Sequence, residues 1–131
     1  MRLVIDTSVL VRYFVWDDEA QAAASARIIE GGDDSVIPTV ILCETVRILQ
    51  HAYRYPAKEI PHALRVVLES TNAAVDRPAA EAGLATLARG GDFADGVIGF
   101  DIERTGASHL VTFDHAFAPP AEPAKVRLLD V

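Results

Sequence analysis

The strongest constraint on the fold is an alternation along the chain, in which short apolar runs rich in β-branched residues are separated by longer stretches with helical periodicity. Leu3-Val4-Ile5, Ser35-Val36-Ile37, His109-Leu110-Val111-Thr112 and Val126 to Leu129 have the length and composition of strands, with Ala73-Ala74-Val75 as a minor fifth. Asp6-Thr7-Ser8 is a set of capping residues that turns the first strand into a helix over Val9 to Trp16, and Asp17 to Ile29 is a second, Ala-rich helix stopped by Gly31-Gly32. From Thr39 to about Arg54, Leu42, Val46, Leu49 and Tyr53 recur at helical spacing, and the stripe stops before Tyr55-Pro56. Lys58 to Ser70 is the next helix, with Pro61 tolerable only in its first turn. Asp76 caps an Ala-rich helix ending near Gly90-Gly91, and Asp92 starts another through about Arg104. The Pro-rich stretch from Ala118 to Ala124 reads as a surface loop.

Strands that alternate with helices imply right-handed crossovers and parallel pairing. The expectation is an α/β fold, a three-layer α/β/α sandwich with a short central parallel sheet, formed by residues 1–131 as a single domain. A chain of this length can bury roughly two-thirds of its unfolded surface, so it needs no covalent staple. Half of the residues are hydrophobic, which places the chain among globular proteins and excludes disorder. The single cysteine, Cys43, lies in an apolar run and reads as a buried thiol in a reducing compartment. The apolar stretch at the N-terminus ends after three residues, too short for a signal peptide, and no run reaches membrane-spanning length. A cytoplasmic protein with no membrane association is expected.

The formal net charge of −7 argues against a generally basic, nucleic-acid-binding surface. That objection weakens if much of the negative charge belongs to a metal site, because bound cations reverse the local field. Ligand sites in parallel sheets form beyond the carboxyl ends of the strands, where Asp6 and Asp114 fall. Glu44 lies within Val40 to Val46, with Ile41 and Ile48 as helical neighbours, at the rim of an apolar face. Asp92-Phe93-Ala94-Asp95-Gly96-Val97-Ile98-Gly99 places Asp95 in the first turn of a helix whose Ala94, Val97 and Ile98 look core-facing. Gly96 and Gly99 each cost about 1 kcal/mol of helix propensity, so close packing or substrate access has to keep them there.

Each acid also has a structural reading: Asp92 as an N-cap, Asp95 as a complement to the helix dipole, Asp6 and Asp114 as turn formers. What favours a site is four acids from four segments, each where the inferred fold can bring it to one crevice. Clustered carboxylates repel by about 4 kcal/mol per close pair at an effective dielectric of 20, so they take up protons or bind a cation. All-oxygen ligands select Mg²⁺ or Mn²⁺, whose chemistry is commonly phosphodiester hydrolysis. Convergence of Asp6, Glu44, Asp95 and Asp114 is the expectation, with Asp92 at the edge.

These residues carry a family likeness. Val4-Ile5-Asp6-Thr7-Ser8-Val9-Leu10, Glu44, Asp92-Phe93-Ala94-Asp95 and Val111-Thr112-Phe113-Asp114-His115-Ala116-Phe117, in this order and spacing, resemble the motifs of PIN-domain ribonucleases, and among them the VapC-like toxins of toxin and antitoxin pairs. The resemblance implies that Asp6, Glu44 and Asp95 coordinate metal, that Asp114 completes the site directly or through water, and that Thr7 or Ser8 and Thr112 supply hydroxyls that orient the carboxylates. It further implies an endoribonuclease dependent on Mg²⁺ or Mn²⁺, an RNA substrate, an antitoxin partner, and a homodimer formed through the helices after the first and second strands. Ser8 stands where many relatives carry Asn, and both residues cap helices. Arg12 and Arg47 flank the inferred site and could meet phosphates or remain solvated, while His51, His62, His109 and His115 are scattered and read as surface or structural.

Two other aspartate-dependent classes fit less well. A haloacid-dehalogenase-type phosphotransferase needs a second Asp two residues after the first, and Ser8 stands there. A response-regulator receiver needs adjoining acids near the first strand and a lysine after a late one, and Lys58 and Lys125 have neither setting. The alternative from another class is a non-catalytic PIN-like module that binds protein, which an RNA cleavage assay separates from the nuclease.

Overall fold

Three parallel strands and four helices form the N-terminal part of the molecule. The computed structural model describes residues 1–115 and 126–130, and its contacts divide the chain into two units, Met1–Asp76 and Arg77–Val131. In the first, β1 (Arg2–Val4), β2 (Asp34–Val36) and β3 (Ala73–Ala74) lie in that order, all parallel, with Leu3 opposite Ser35 and Ser35 opposite Ala73. The Ile5 N–H donates to the Val36 carbonyl at 3.0 Å, which carries the β1–β2 ladder one residue past the strand, where the chain turns into a helix.

The helices of this unit are α1 (Thr7–Phe14), α2 (Glu19–Ile29), α3 (Thr39–His51) and α4 (Ile60–Leu68), the last preceded by a 3₁₀ turn over Ala57–Glu59. Asp6 and Asp18 cap α1 and α2, and Pro61 occupies the first turn of α4, where its missing N–H has no intrahelical acceptor to lose. The expected stripe of α3 is inward: Leu42, Val46 and Leu49 are buried, and α1 packs beside α3 and α2. Ile5, Leu10, Ile37, Ile60, Leu64, Val67 and Leu68 are buried beside them. The helix ends at His51, three residues before the expected Arg54, because Arg54 turns to φ 56° and the Tyr55 N–H closes back on the Leu49 carbonyl at 2.9 Å.

The second unit consists of α5 (Arg77–Ala88), α6 (Phe93–Thr105), β4 (Leu110–Thr112) and β5 (Val126–Leu128), the strands parallel with Val111 opposite Arg127. Helices α5 and α6 approach closely through glycines. A methyl group on Gly96 would lie 2.5 Å from the Ala82 carbonyl oxygen and 2.8 Å from the Gly83 Cα, and one on Gly83 would meet the Phe93 ring at 2.6 Å. This contact fixes the rotation of α6 and corrects the expected inward face. Phe93, Gly96, Val97, Gly99 and Ile102 are buried, whereas Ile98 is exposed and Ala94 half-buried. Cys43 is likewise half-buried, not buried. The expected Pro-rich loop from Ala118 to Ala124 lies outside the described residues.

Candidate active site

The first group of candidate residues is built on the junction of β1 with α1. Asp6 leaves the strand in extended conformation and caps α1, its Oδ2 accepting from the Ser8 hydroxyl at 3.0 Å and from the Ser8 N–H at 3.4 Å. The Ser8 hydroxyl, with the N–H groups of Thr7 and Ser8, stabilises the charged form and holds this exposed carboxyl below the usual range. Asp6 is therefore anionic and fixed in direction.

The next residue ties a second acid to the same corner. Thr7 is buried, and its Oγ1 donates to Glu44 Oε1 on α3 at 2.8 Å. The Glu44 carboxylate is exposed, and its other oxygen receives no hydrogen bond from the described residues. The expected orienting hydroxyls thus divide the work, Ser8 serving Asp6 and Thr7 serving Glu44. Helix α3 presents Glu44 outward because Leu42, Thr45 and Val46 take the inward positions, with Thr45 returning its hydroxyl to the Ile41 carbonyl at 2.7 Å.

The second group is set by α6 and β4. Asp92 caps α6, its Oδ1 accepting from the Asp95 N–H at 3.1 Å. Asp95 is half-buried in the first turn, and its carboxylate receives no hydrogen bond or ion pair from the described residues. Burial raises its pKa above the usual carboxyl range, and the negative charges of Asp92 and Asp114 add to the effect. Asp114 follows β4, and its N–H donates to the Thr112 hydroxyl at 3.0 Å, so Thr112 fixes the backbone there by a route other than the expected bond to a carboxylate.

Asp6 and Glu44 thus meet at Thr7 in the first unit, and Asp92, Asp95 and Asp114 interact electrostatically in the second. Among the described residues, no three acidic, histidine or cysteine side chains stand close enough together to hold a metal ion. All four histidines are exposed. Arg12 is engaged elsewhere: its guanidinium pairs with Asp17 and donates to the Tyr53 hydroxyl at 3.1 Å, which itself donates to Asp17 at 3.3 Å. Sequence reasoning missed this network, although an acid five residues after Arg12, just past the helix end, was the signal for it. Arg47 is exposed and has no ion pair with the described residues.

The sequence profile of the PIN domain matches residues 3–122, nearly the whole chain. The chain belongs to the PIN-domain family. Its α/β fold, with six α-helices and short parallel strands among the described residues, is the three-layer α/β/α PIN fold, and the family supports nuclease-type chemistry with divalent metal ions. No curated protein matches closely enough to be named beside this PIN domain. None of the described helices is long and apolar enough to cross a membrane.

In donor chemistry, though not as a gathered three-residue cluster among the described residues, the candidates suit the metal ion that a PIN domain implies. A half-buried carboxylate that receives no hydrogen bond or ion pair from the described residues and faces two like charges is a group in deficit of a cation, and Asp95 is that group. The other candidates are carboxylates too, a set that suits hard, oxygen-seeking divalent ions.

Proposed function

We propose that this PIN domain is a metal-dependent endoribonuclease acting as the toxin of a toxin–antitoxin pair, with the whole chain working as one catalytic domain. Asp6, Glu44, Asp95 and Asp114 would hold Mg²⁺ or Mn²⁺, with Asp92 at the edge. The observation that carries the reading is the state of Asp95, whose desolvation and like-charged neighbours find no compensation among the described residues. When bound, the metal supplies an activated water and neutralises charge on the scissile phosphate. Asp6 and Glu44 contribute carboxylates whose directions are set by Ser8 and Thr7. Asp95 contributes one whose charge is costly until a cation arrives.

Support for a protein partner comes from a groove of about 530 Å³ in the first unit, whose aromatic and apolar lining includes Trp16 and Val66, both exposed, with charged side chains such as Glu30 and Lys58 also on its walls. Apolar surface of this kind on a charged molecule suits a docking peptide, as an antitoxin would provide. Self-association through α1 and α3 belongs to the same proposal, and the protein is placed in the cytoplasm.

The test is cleavage of several structured RNAs with Mg²⁺ or Mn²⁺, with chelator, and with the D6N and D95N variants. Metal-dependent cutting that both variants lose supports the nuclease. An intact, metal-bound wild type that cuts none of the RNAs, yet captures a small protein encoded beside it, would identify a non-catalytic binding module.

A further inference from the structure

The charge along the chain is unevenly placed. Residues 45–58 contain no acid, the longest such interval in a sequence with 19 acidic residues, and they carry Arg47, His51, Arg54 and Lys58. Glu44, Arg47 and His51 are spaced three and four residues apart, which puts them on one face of α3. All three are exposed, and the opposite face of the helix, Leu42, Val46 and Leu49, is buried. Seven residues of helix separate Glu44 from His51, about 10 Å along the axis.

Arg54 follows three residues after His51, past the helix end, at a conformational cost. Its φ of 56° is in the left-handed region, where glycine is favoured because a Cβ is strained there. The side chain is exposed and makes no ion pair or hydrogen bond with the described residues that would offset the strain. Arg47 and His51 are in the same condition, whereas Arg12 is neutralised by Asp17. A left-handed arginine with no partner among the described residues points to a role in binding.

We propose that Arg47, His51 and Arg54 form a phosphate-binding track along the exposed face of α3, leading the backbone of single-stranded RNA away from Glu44. The inference rests on the ribonuclease reading of Glu44 and names the surface that holds its substrate. An acidic protein repels RNA at long range, so productive binding needs a local run of cationic and N–H donors free of acids. Two guanidiniums offer forked N–H donors to phosphate oxygens, and the imidazole offers an N–H in either tautomer. Such contacts set the register of the strand and leave sequence unread.

The experiment measures binding of a fluorescently labelled, unstructured RNA by anisotropy across a salt series, in the D95N background so that the probe is not cut. R47A and R54G are compared with R27A, which removes an exposed arginine from α2. Arg54→Gly relieves the backbone, so it keeps the fold and melts at or above the parent temperature. Each track variant is expected to weaken binding about fivefold and to lower the slope of log affinity against log salt by about 0.7, with R27A close to the parent. Equal losses in R27A and R47A would reduce the effect to net charge and overturn the track. If the wild type cuts RNA while R47A and R54G bind as tightly as the parent, the track alone fails. A wild type that neither cuts RNA nor, as D95N, binds it removes both the track and the ribonuclease reading.

Discussion

Replacing Gly96 with alanine sets two opposing effects against each other in one methyl group. Alanine is favoured over glycine in a helix interior by about 1 kcal/mol, so on propensity alone the variant is stabilised. The added carbon would lie 2.5 Å from the Ala82 carbonyl oxygen, 2.6 Å from the Thr86 hydroxyl and 2.8 Å from the Gly83 Cα. Two of these three are backbone atoms of α5, which cannot rotate aside, so the helices have to separate. Overpacking of this kind costs about 1 to 3 kcal/mol, and backbone contacts put it at the upper end. The net is a destabilisation of about 2 kcal/mol, which for a domain of this size lowers the melting temperature by about 8 °C. Gly83→Ala meets the Phe93 ring instead, a side chain that is 2 % exposed and has little room to move. The double variant therefore loses less than the sum of the two, since both open the same contact. Thermal unfolding followed by circular dichroism reads all three. Because Asp95 adjoins Gly96, the shift of α6 also lowers RNA cleavage at temperatures where the variant is folded. A G96A protein that melts at or above the wild-type temperature would refute the argument, because propensity would then outweigh a contact that the geometry says has no room.

Asp6→Asn keeps an N-cap acceptor and leaves the metal-free melting temperature unchanged, while Asp6→Ala loses about 1 kcal/mol of stability; both abolish cleavage, and calorimetry beside the assay separates cap from ligand. The pKa of Asp95 is raised in the fold, so its stabilising contribution is complete below the unfolded value of 3.8 and is lost as pH rises through the folded value. At neutral pH without metal, D95N accordingly melts above the wild type; the difference closes in acid, and Mn²⁺ closes it by stabilising the wild type alone. Tyr13 is pushed up to about 12 by burial and by its hydrogen bond to Glu30 at 2.8 Å, so its contribution to stability is full below pH 10 and lost as pH rises through 12; ultraviolet titration should show a phenolic step near 12 that Tyr13→Phe removes. Arg54→Gly gains about 1 kcal/mol by relieving the left-handed strain, measured as a higher urea midpoint, and an unchanged or lower midpoint would contradict the strain.

Local features were legible in the sequence because their causes are local. The stripe of Leu42, Val46 and Leu49 depends only on helical spacing, and the caps at Asp6 and Asp92 only on a side chain reaching an N–H two or three residues on. What eluded it depends on a second segment. Strand β1 is Arg2–Val4, not Leu3 to Ile5, because pairing with Asp34 to Val36 defines the ladder and apolarity does not. Hydrophobicity alone places Ile98 inward, yet α6 is rotated by a contact made through glycines, residues that an apolar pattern cannot register. Arg12 appeared free until Asp17 and Tyr53 were placed beside it.

The acids show why a structural and a catalytic reading of the same residue need not compete. Asp6 caps with Oδ2 and Asp92 with Oδ1, and a carboxylate has acceptor capacity on both of its oxygens. The cap orients the group and the charge remains for a cation, so under the proposed function a capping aspartate such as Asp6 would be a ligand whose direction is already fixed. Glu44 reaches the same result from mid-helix, where no N–H is available, by borrowing the Thr7 hydroxyl. Asp95 has neither device, and it is the acid whose pKa is raised. Substitution by asparagine therefore separates the roles where alanine does not: it keeps the shape and one acceptor oxygen for the cap, turns the other oxygen into an NH2 donor, and removes the charge that a divalent ion requires.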